Sequence, residues 1–128
     1  MANDDKKKAV FGTILHVQEI GKLRTFYKDV VKLGEPVVDS NFWIEFRVCS
    51  NGALILEHNG NVTKTKARIK TGGCWLLPVD DFDETVARFK EMEVWPVRPT
   101  VEVPGYRCAT YADPEGNPFT IYTAHDAD

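Results

Sequence analysis

The sequence predicts an α+β fold in which one βαβββ unit occurs twice. Strand-like and helix-like segments follow one another in the same order in both halves of the chain. Val17 and Val79 occupy corresponding places, each directly before an acidic start of a helix, which indicates an internal repeat. A helix covers only one face of the sheet in such a unit. Pairing two units, within a chain or between chains, therefore turns their bare faces toward each other around a cavity.

The first half begins with a strand at residues 10–17, where side chains alternate between two faces. Apolar residues at helical spacing then predict a helix over residues 21–34, ended by Gly34 as a C-terminal cap. The inward side chains of this helix are expected to be Leu23, Phe26, Tyr27 and Val30. Turn-forming residues separate three further strands, predicted at residues 36–39, 42–49 and 53–58.

The second half repeats this order from residue 74 onward. A strand is predicted at residues 74–79 and a helix at 81–92. The inward side chains of the helix are expected to be Phe82, Val86 and Phe89. Three further strands are predicted at residues 95–99, 106–111 and 119–123. Trp75 and Trp95 are assigned to the core.

Composition narrows the class of protein. The chain has 128 residues, 43% of them hydrophobic and 27% charged, which is typical of one globular domain. A net charge of −3 provides no basic surface for nucleic acid. Three cysteines without CxxC spacing indicate free thiols in a reducing compartment. Because no apolar run resembles a signal peptide or a membrane span, we expect a cytoplasmic protein with no membrane partner.

The predicted organisation is a flexible leader at residues 1–9 and a single domain at 10–125. Within that domain, repeat one covers about 10–58, a linker 59–72, and repeat two about 73–124. The linker contains four basic side chains and is bounded by glycines. Two interpretations stay open for it: a solvated connection, or a flap over an anionic ligand.

Three sequence segments resemble the vicinal-oxygen-chelate superfamily, which includes glyoxalases, bleomycin-resistance proteins and extradiol dioxygenases. DPEGNPFTIY, at residues 113–122, is similar to the last hairpin of these proteins. FYKDVVKLGEPV, at 26–37, and VDDFDETVARFKEMEV, at 79–94, match other family positions. The resemblance extends from about Phe11 to about Thr123. It implies two βαβββ repeats that form a half-open mixed β-barrel around a cavity, with the helices outside.

Family enzymes hold a divalent metal with four side chains, usually two His and two Glu, and chelate the substrate on it. Alignment with the family places Gly12, Ile55, Cys74 and Thr120 at those four positions. Only the thiolate of Cys74 is a competent ligand, and one ligand does not hold a metal. The resemblance therefore implies the metal-free, bleomycin-resistance-like branch, without metal or cofactor. A homodimer that sequesters a small organic ligand, with drug resistance as a possible role, is the expected function.

The side chains that alternate with the helix-facing ones are expected to line the cavity and to bind the ligand. Aromatic groups for stacking and a few polar groups are typical of a small-molecule pocket. The predicted ligand-binding residues are His16, Trp43, Glu45, Arg47, Glu57, Cys74, Tyr106, Cys108, Thr110, Thr120 and Tyr122. Glu45 and Glu57 suit a cationic group and Arg47 suits a carboxylate or phosphate. A solvated ion pair between Glu45 and Arg47 is the alternative.

Catalysis remains an alternative to binding. His16 and Glu57 are the candidate catalytic residues, as a general base with Cys74 or Cys108 as nucleophile. His16 alone has the alternative role of a hydrogen-bonded wall residue. A non-standard metal site formed by His16, Glu57 and Cys74 would serve a glyoxalase-like lyase, isomerase or dioxygenase. A third alternative is an interaction module whose cavity is vestigial.

Overall fold

The computed structural model describes residues 11–58 and 73–124. The predicted leader and linker lie outside the described residues, as does the end of the chain from residue 125. The chain divides into two compact units, Met1–Thr63 and Lys64–Asp128. Neither of the two helices in the described ranges has the length and apolar character needed to cross a bilayer.

The first unit is a four-stranded mixed sheet with one helical segment. Its strand order is β1-β4-β3-β2, with β1 parallel to β4 and the other neighbours antiparallel. Helix α1 packs against β4. The elements are β1 (Phe11–Val17), α1 (Ile20–Thr25) with a π-helical turn (Phe26–Val30), β2 (Val38–Asp39), β3 (Trp43–Val48) and β4 (Gly52–His58).

The core of the first unit lies between the helical segment and one face of the sheet. Alternation along β3 buries Ile44 and Phe46, while their neighbours Glu45 and Arg47 point to the other face. The helical segment contributes apolar and aromatic side chains to the same core. The other buried residues are Val17, Leu23, Phe26, Tyr27, Val31, Ala53, Leu54 and Leu56.

The π-helical turn changes which valine is buried. In this turn the Val31 amide donates to the Phe26 carbonyl at 3.0 Å, five residues back instead of four. The wider turn rotates the following side chains by about one position, so Val31 is buried and Val30 is only half-buried. The predicted inward position at Val30 is therefore wrong, because the spacing assumed a regular α-helix.

The end of this helix also differs from the prediction. Lys32, with φ of 67°, takes the left-handed conformation that closes the helix, and the Leu33 amide donates to the Tyr27 carbonyl at 2.9 Å. Gly34 has φ of 89° but lies beyond the end of the helical turn. The glycine is thus part of the following loop and not the cap.

The second unit repeats the architecture of the first. Its strand order is β5-β8-β7-β6, with β5 parallel to β8 and the other neighbours antiparallel. Helix α2 packs against β8. The elements are β5 (Trp75–Pro78), α2 (Phe82–Glu91), β6 (Val101–Val103), β7 (Tyr106–Ala112) and β8 (Pro118–Ala124).

Aromatic rings form the core of the second unit. Phe119 stacks on Trp75 and on Tyr111, with ring centroids 5.7 and 6.0 Å apart. Phe89 of α2 meets Tyr111 edge-on at 4.8 Å. Burial in this cluster raises the pKa of the Tyr111 hydroxyl, because the charged phenolate is disfavoured away from water. Trp75 contributes to the core as the sequence indicated.

Helix α2 begins with a side-chain cap, since Asp81 accepts a hydrogen bond from the Glu84 amide at 3.0 Å. Phe82 and Phe89 are buried as expected, but the third buried residue is Thr85 instead of Val86. The Thr85 hydroxyl donates to the Asp81 carbonyl at 2.9 Å, which satisfies its polar group inside the core. A hydrophobic pattern alone overlooks such a residue.

The strand predicted at residues 95–99 is wrong. These residues are irregular apart from one backbone hydrogen bond, from the Val97 amide to the Thr110 carbonyl at 2.8 Å. Pro96 and Pro99 lack the amide that a strand ladder needs. Trp95 is 56% exposed, so its assignment to the core is also wrong. In the first half, the strand predicted at 36–39 is confirmed only for its last two residues.

The βαβββ order is confirmed in both halves, and the strand registers agree as well. Ile14 pairs with Ile55 in the first unit as Leu76 pairs with Thr120 in the second. The strands form two separate hydrogen-bonded sheets in the described ranges, and these sheets are not closed into a barrel. The α+β class with two repeats is thus established.

Candidate functional site

The resemblance assigns the family's metal to Gly12, Ile55, Cys74 and Thr120, and the structure shows what surrounds each of these residues. At Gly12, an added Cβ would collide with the Ala53 carbonyl oxygen, so a side chain fits only if the backbone moves. Ile55, half-buried on β4, has no donor atom. The first unit therefore offers no ligand at either of its two family positions.

In the second unit, the two family positions contact each other. The Cys74 sulfur lies 3.2 Å from the Thr120 hydroxyl, which lies 2.8 Å from the Thr110 hydroxyl. Thr120 is 8% exposed, and its hydroxyl is held between these two neighbours. Since a neutral threonine is a poor ligand for a divalent metal, the residues present do not fit the family's metal. In the described part of the chain, no three His, Cys, Asp or Glu side chains lie together as a metal site.

The helix-free face of the first sheet, opposite α1, contains the charged residues predicted to bind a ligand. His16 on β1 and Trp43 on β3 both pair in register with Glu57 on β4, so the three form one row across the sheet. His16 Nε2 lies 3.2 Å from Glu57 Oε1, and both side chains are substantially exposed. The pairing that the sequence suggested for the candidate catalytic residues is thus present within one unit.

A second pair of charged side chains lies on the same face. Glu45 and Arg47, two residues apart on β3, have Oε2 and Nη2 3.4 Å from each other. Glu45 is only 16% exposed, whereas the Arg47 side chain is 47% exposed. The ion pair expected as the alternative is therefore formed, and Arg47 keeps part of its surface accessible.

The helix-free face of the second sheet, opposite α2, is aromatic and neutral. Tyr106 and Tyr122 meet edge to face with ring centroids 5.6 Å apart. Cys108 pairs in register with Tyr122, and Thr110 pairs with Thr120. This arrangement places hydroxyl and thiol groups beside aromatic rings. The second sheet can thus bind an apolar or aromatic group and orient it with neutral hydrogen bonds.

Sequence reasoning did not include several exposed apolar residues on these faces. Leu76 on β5 is 61% exposed and Ile14 on β1 is 47% exposed. Leu76 pairs in register with Thr120, a predicted ligand-binding residue, and Ile14 pairs with Ile55. The sequence contained this information, because the alternation that buries Leu77 turns Leu76 to the other face of the sheet.

The turn before β8 has a structural role. The Asp113 carboxylate accepts hydrogen bonds from the amides of Glu115 and Asn117, each at 2.9 Å, and from the Asn117 side chain. Gly116 has φ of 85°, a conformation that glycine adopts without strain. These contacts fix the hairpin between β7 and β8 and thereby the position of Thr120.

The repeated βαβββ units and the position of this hairpin define the class of protein. The family model described as Glyoxalase/Bleomycin resistance protein/Dioxygenase superfamily matches residues 11–121. The chain belongs to this superfamily. No curated protein matches the chain.

Solved structures share the fold at low sequence identity. Lactoylglutathione lyase from Agrobacterium tumefaciens is 23% identical, with a TM-score of 0.70 over 91% of this chain and 94% of that one. TnmS3, an antibiotic binding protein from Streptomyces sp. CB03234, is 22% identical, with a TM-score of 0.71 over 94% and 98%. A glyoxalase/dioxygenase from Nostoc punctiforme is 17% identical, with a TM-score of 0.72 over 98% and 96%. Both enzymes and a binding protein therefore share this fold.

Proposed function

We propose that this protein binds a small organic ligand on the helix-free faces of its two sheets, without the family's metal, and sequesters it. The chemistry of the residues that the resemblance places at the metal positions supports this most directly. Gly12 and Ile55 supply no donor atom, and a side chain at position 12 would collide with the Ala53 backbone. Without a metal, the remaining side chains still suit the binding of a ligand, and binding is therefore the function that we propose.

The side chains on these faces suit binding. Trp43 and the Tyr106–Tyr122 pair offer aromatic surface, and the polar groups beside them are few and held by neighbours. TnmS3, which shares the fold, is an antibiotic binding protein. The proposal accordingly includes a drug-resistance role, a homodimer as the binding form and a cytoplasmic location.

Metal analysis and thermal shift together test this proposal. The protein is purified without chelator, analysed for Zn, Ni, Fe and Mn, and melted with bleomycin and with a panel of aromatic compounds. The expected result is less than stoichiometric metal and a raised melting temperature with at least one compound, since a ligand that binds the native state stabilises it. Stoichiometric metal, or no stabilisation by any compound, would overturn the proposal.

A metal-independent enzyme is the second candidate, and the contact between His16 and Glu57 favours it. A carboxylate that holds an imidazole can orient it as a general base. This candidate predicts that His16→Ala and Glu57→Gln both abolish turnover of a glyoxalase or dioxygenase substrate while the melting temperature stays close to native. Unchanged turnover in either variant would contradict it.

A further inference from the structure

The two carboxylates on the helix-free face of the first sheet have basic partners of different kinds. Glu45 contacts the guanidinium of Arg47, which is charged at every physiological pH. Glu57 contacts the imidazole of His16, with Oε1 3.2 Å from Nε2. Among the described residues of the first unit's helix-free face, Glu57 is thus the carboxylate that no arginine or lysine contacts.

The remaining carboxylate on a strand of this sheet belongs to Asp39, which lies on the opposite face and is paired with Arg24. Asp39 accepts hydrogen bonds from Arg24 at 2.7 and 3.0 Å. The two carboxylates and the one guanidinium of the described face around Glu57 thus sum to one net negative charge. Its charged and titratable groups are His16, Glu45, Arg47 and Glu57.

Trp43 provides an aromatic surface beside this negative charge. It lies next to Glu57 in register on the neighbouring strand, at a spacing where side chains of adjacent strands contact each other. Ile14 and Ile55 add apolar surface in the next row. An indole and a carboxylate at this spacing suit a cation with an apolar body, because the ring face attracts positive charge while the carboxylate pairs with it.

We infer that Glu57 and Trp43 form a subsite for an organic cation, a quaternary or protonated amine joined to an apolar or aromatic body. The inference rests on the proposed function and names the chemistry of its ligand. His16 competes with the ligand for Glu57, because its imidazole already contacts the same carboxylate.

Isothermal titration calorimetry with benzyltrimethylammonium tests this subsite, with benzyl alcohol and benzoate as the uncharged and anionic comparisons. At about pH 8 we expect the native protein to bind the cation at least tenfold more tightly than either comparison, since one charged contact corresponds to about a factor of ten.

Substitutions test whether Glu57 is the residue that binds the cation. Glu57→Gln should weaken binding of benzyltrimethylammonium by about tenfold at pH near 8. His16→Gln should bind the cation at least as tightly as the native protein, because it removes the imidazole that contacts Glu57. Asp29→Asn is the matched control, because it removes one negative charge from the same unit at the π-helical turn, where Asp29 contacts Lys28. It should leave binding unchanged, and thermal melts of all variants establish that they are folded.

The outcomes separate this inference from the proposed function. Equal affinity for the cation and for benzyl alcohol, or a loss with Asp29→Asn as large as with Glu57→Gln, would overturn the cation subsite. The proposed function would still stand if bleomycin or another compound of the panel raised the melting temperature. If no compound stabilised the protein and the cation failed to bind, both would be wrong.

Discussion

The two halves of the chain share one topology but are stabilised by different side chains. The first half has a largely aliphatic sheet core, a helical segment without a side-chain cap and an exposed ion pair between Arg24 and Asp39. The second half has an aromatic core and a helix capped by Asp81. Their helix-free faces differ too, with charged groups on the first and hydroxyl, thiol and phenol groups on the second. The two repeats therefore share backbone pairing, whereas the side chains of their cores and of their helix-free faces differ.

Truncation of equivalent core residues in the two repeats should cause the largest loss of stability. Phe119 and Leu54 occupy the same place in the two repeats and are almost fully buried. We expect Phe119→Ala to lower the free energy of unfolding by about 4 kcal/mol and Leu54→Ala by about 3 kcal/mol, because the larger ring leaves the larger cavity. Urea denaturation measures both. A greater loss for Leu54→Ala would contradict the view that aromatic packing makes the second core the more sensitive one.

Adding a methyl group at Gly12, the first position that the resemblance assigns to the metal, should cause the next largest loss of stability. Gly12→Ala places a Cβ against the Ala53 carbonyl, and relief of this contact requires a backbone shift that costs about 2 kcal/mol. Cys74, at the corresponding position of the second repeat, is exposed, so Cys74→Ala should cost less than about 1 kcal/mol. Thermal melts measure the difference. Equal stability of Gly12→Ala and the native protein would show that the strand accommodates a side chain there.

This glycine shows how much of the site the sequence could predict. Counting from Val17 and Val79 gave the positions that the family resemblance assigns to the metal, and the strand registers agree that these positions correspond between the two repeats. The count placed Gly12 at the first of them. The close approach of the Ala53 carbonyl could not be foreseen, because it depends on the distance between two backbones and not on a pattern of residues.

The errors in the predicted fold have a similar origin. Hydrophobic spacing assumes 3.6 residues per turn, so it selected Val30 where the π-helical turn buries Val31. It also overlooked Thr85, whose hydroxyl is satisfied by its own helix. At Trp95 a large apolar residue was assigned to the core although Pro96 and Pro99 interrupt the backbone pairing around it. Periodicity predicts which elements exist better than it predicts local backbone geometry.

Removal of the helix cap should have a moderate effect confined to the second half. Asp81→Ala deletes the carboxylate that accepts from the Glu84 amide, which should cost about 1 kcal/mol. Glu19, the residue at the same position of α1, makes no side-chain cap hydrogen bond, so this contribution belongs to the second half. Hydrogen exchange of the first amides of α2 checks that the loss is local. Faster exchange in α1 of the Asp81 variant would contradict a local role.

Removal of the ion pair between Arg24 and Asp39 should cause the smallest loss of stability. The pH dependence of this loss distinguishes the ion pair from the helix cap. Hydrogen bonds from Arg24 lower the pKa of Asp39, and the pair is exposed to solvent, which screens it. A carboxyl group whose pKa is depressed by folding stabilises the native state above its ordinary pKa of about 3.9 and loses this contribution as the pH falls through the depressed value. Arg24→Gln should therefore lower the melting temperature slightly near neutral pH and have a diminishing effect below about pH 4.

Arg98→Gln, in the irregular segment before β6, is the matched control for the loss of one positive charge. If its melting temperature followed the same pH profile as that of Arg24→Gln, the effect would belong to net charge and not to the pair. A difference confined to Arg24→Gln would instead show that the first half, whose helix lacks the cap of the second, uses this contact between the helix and β2 to hold the helix on its sheet. The pair would then compensate in one repeat for what Asp81 supplies in the other.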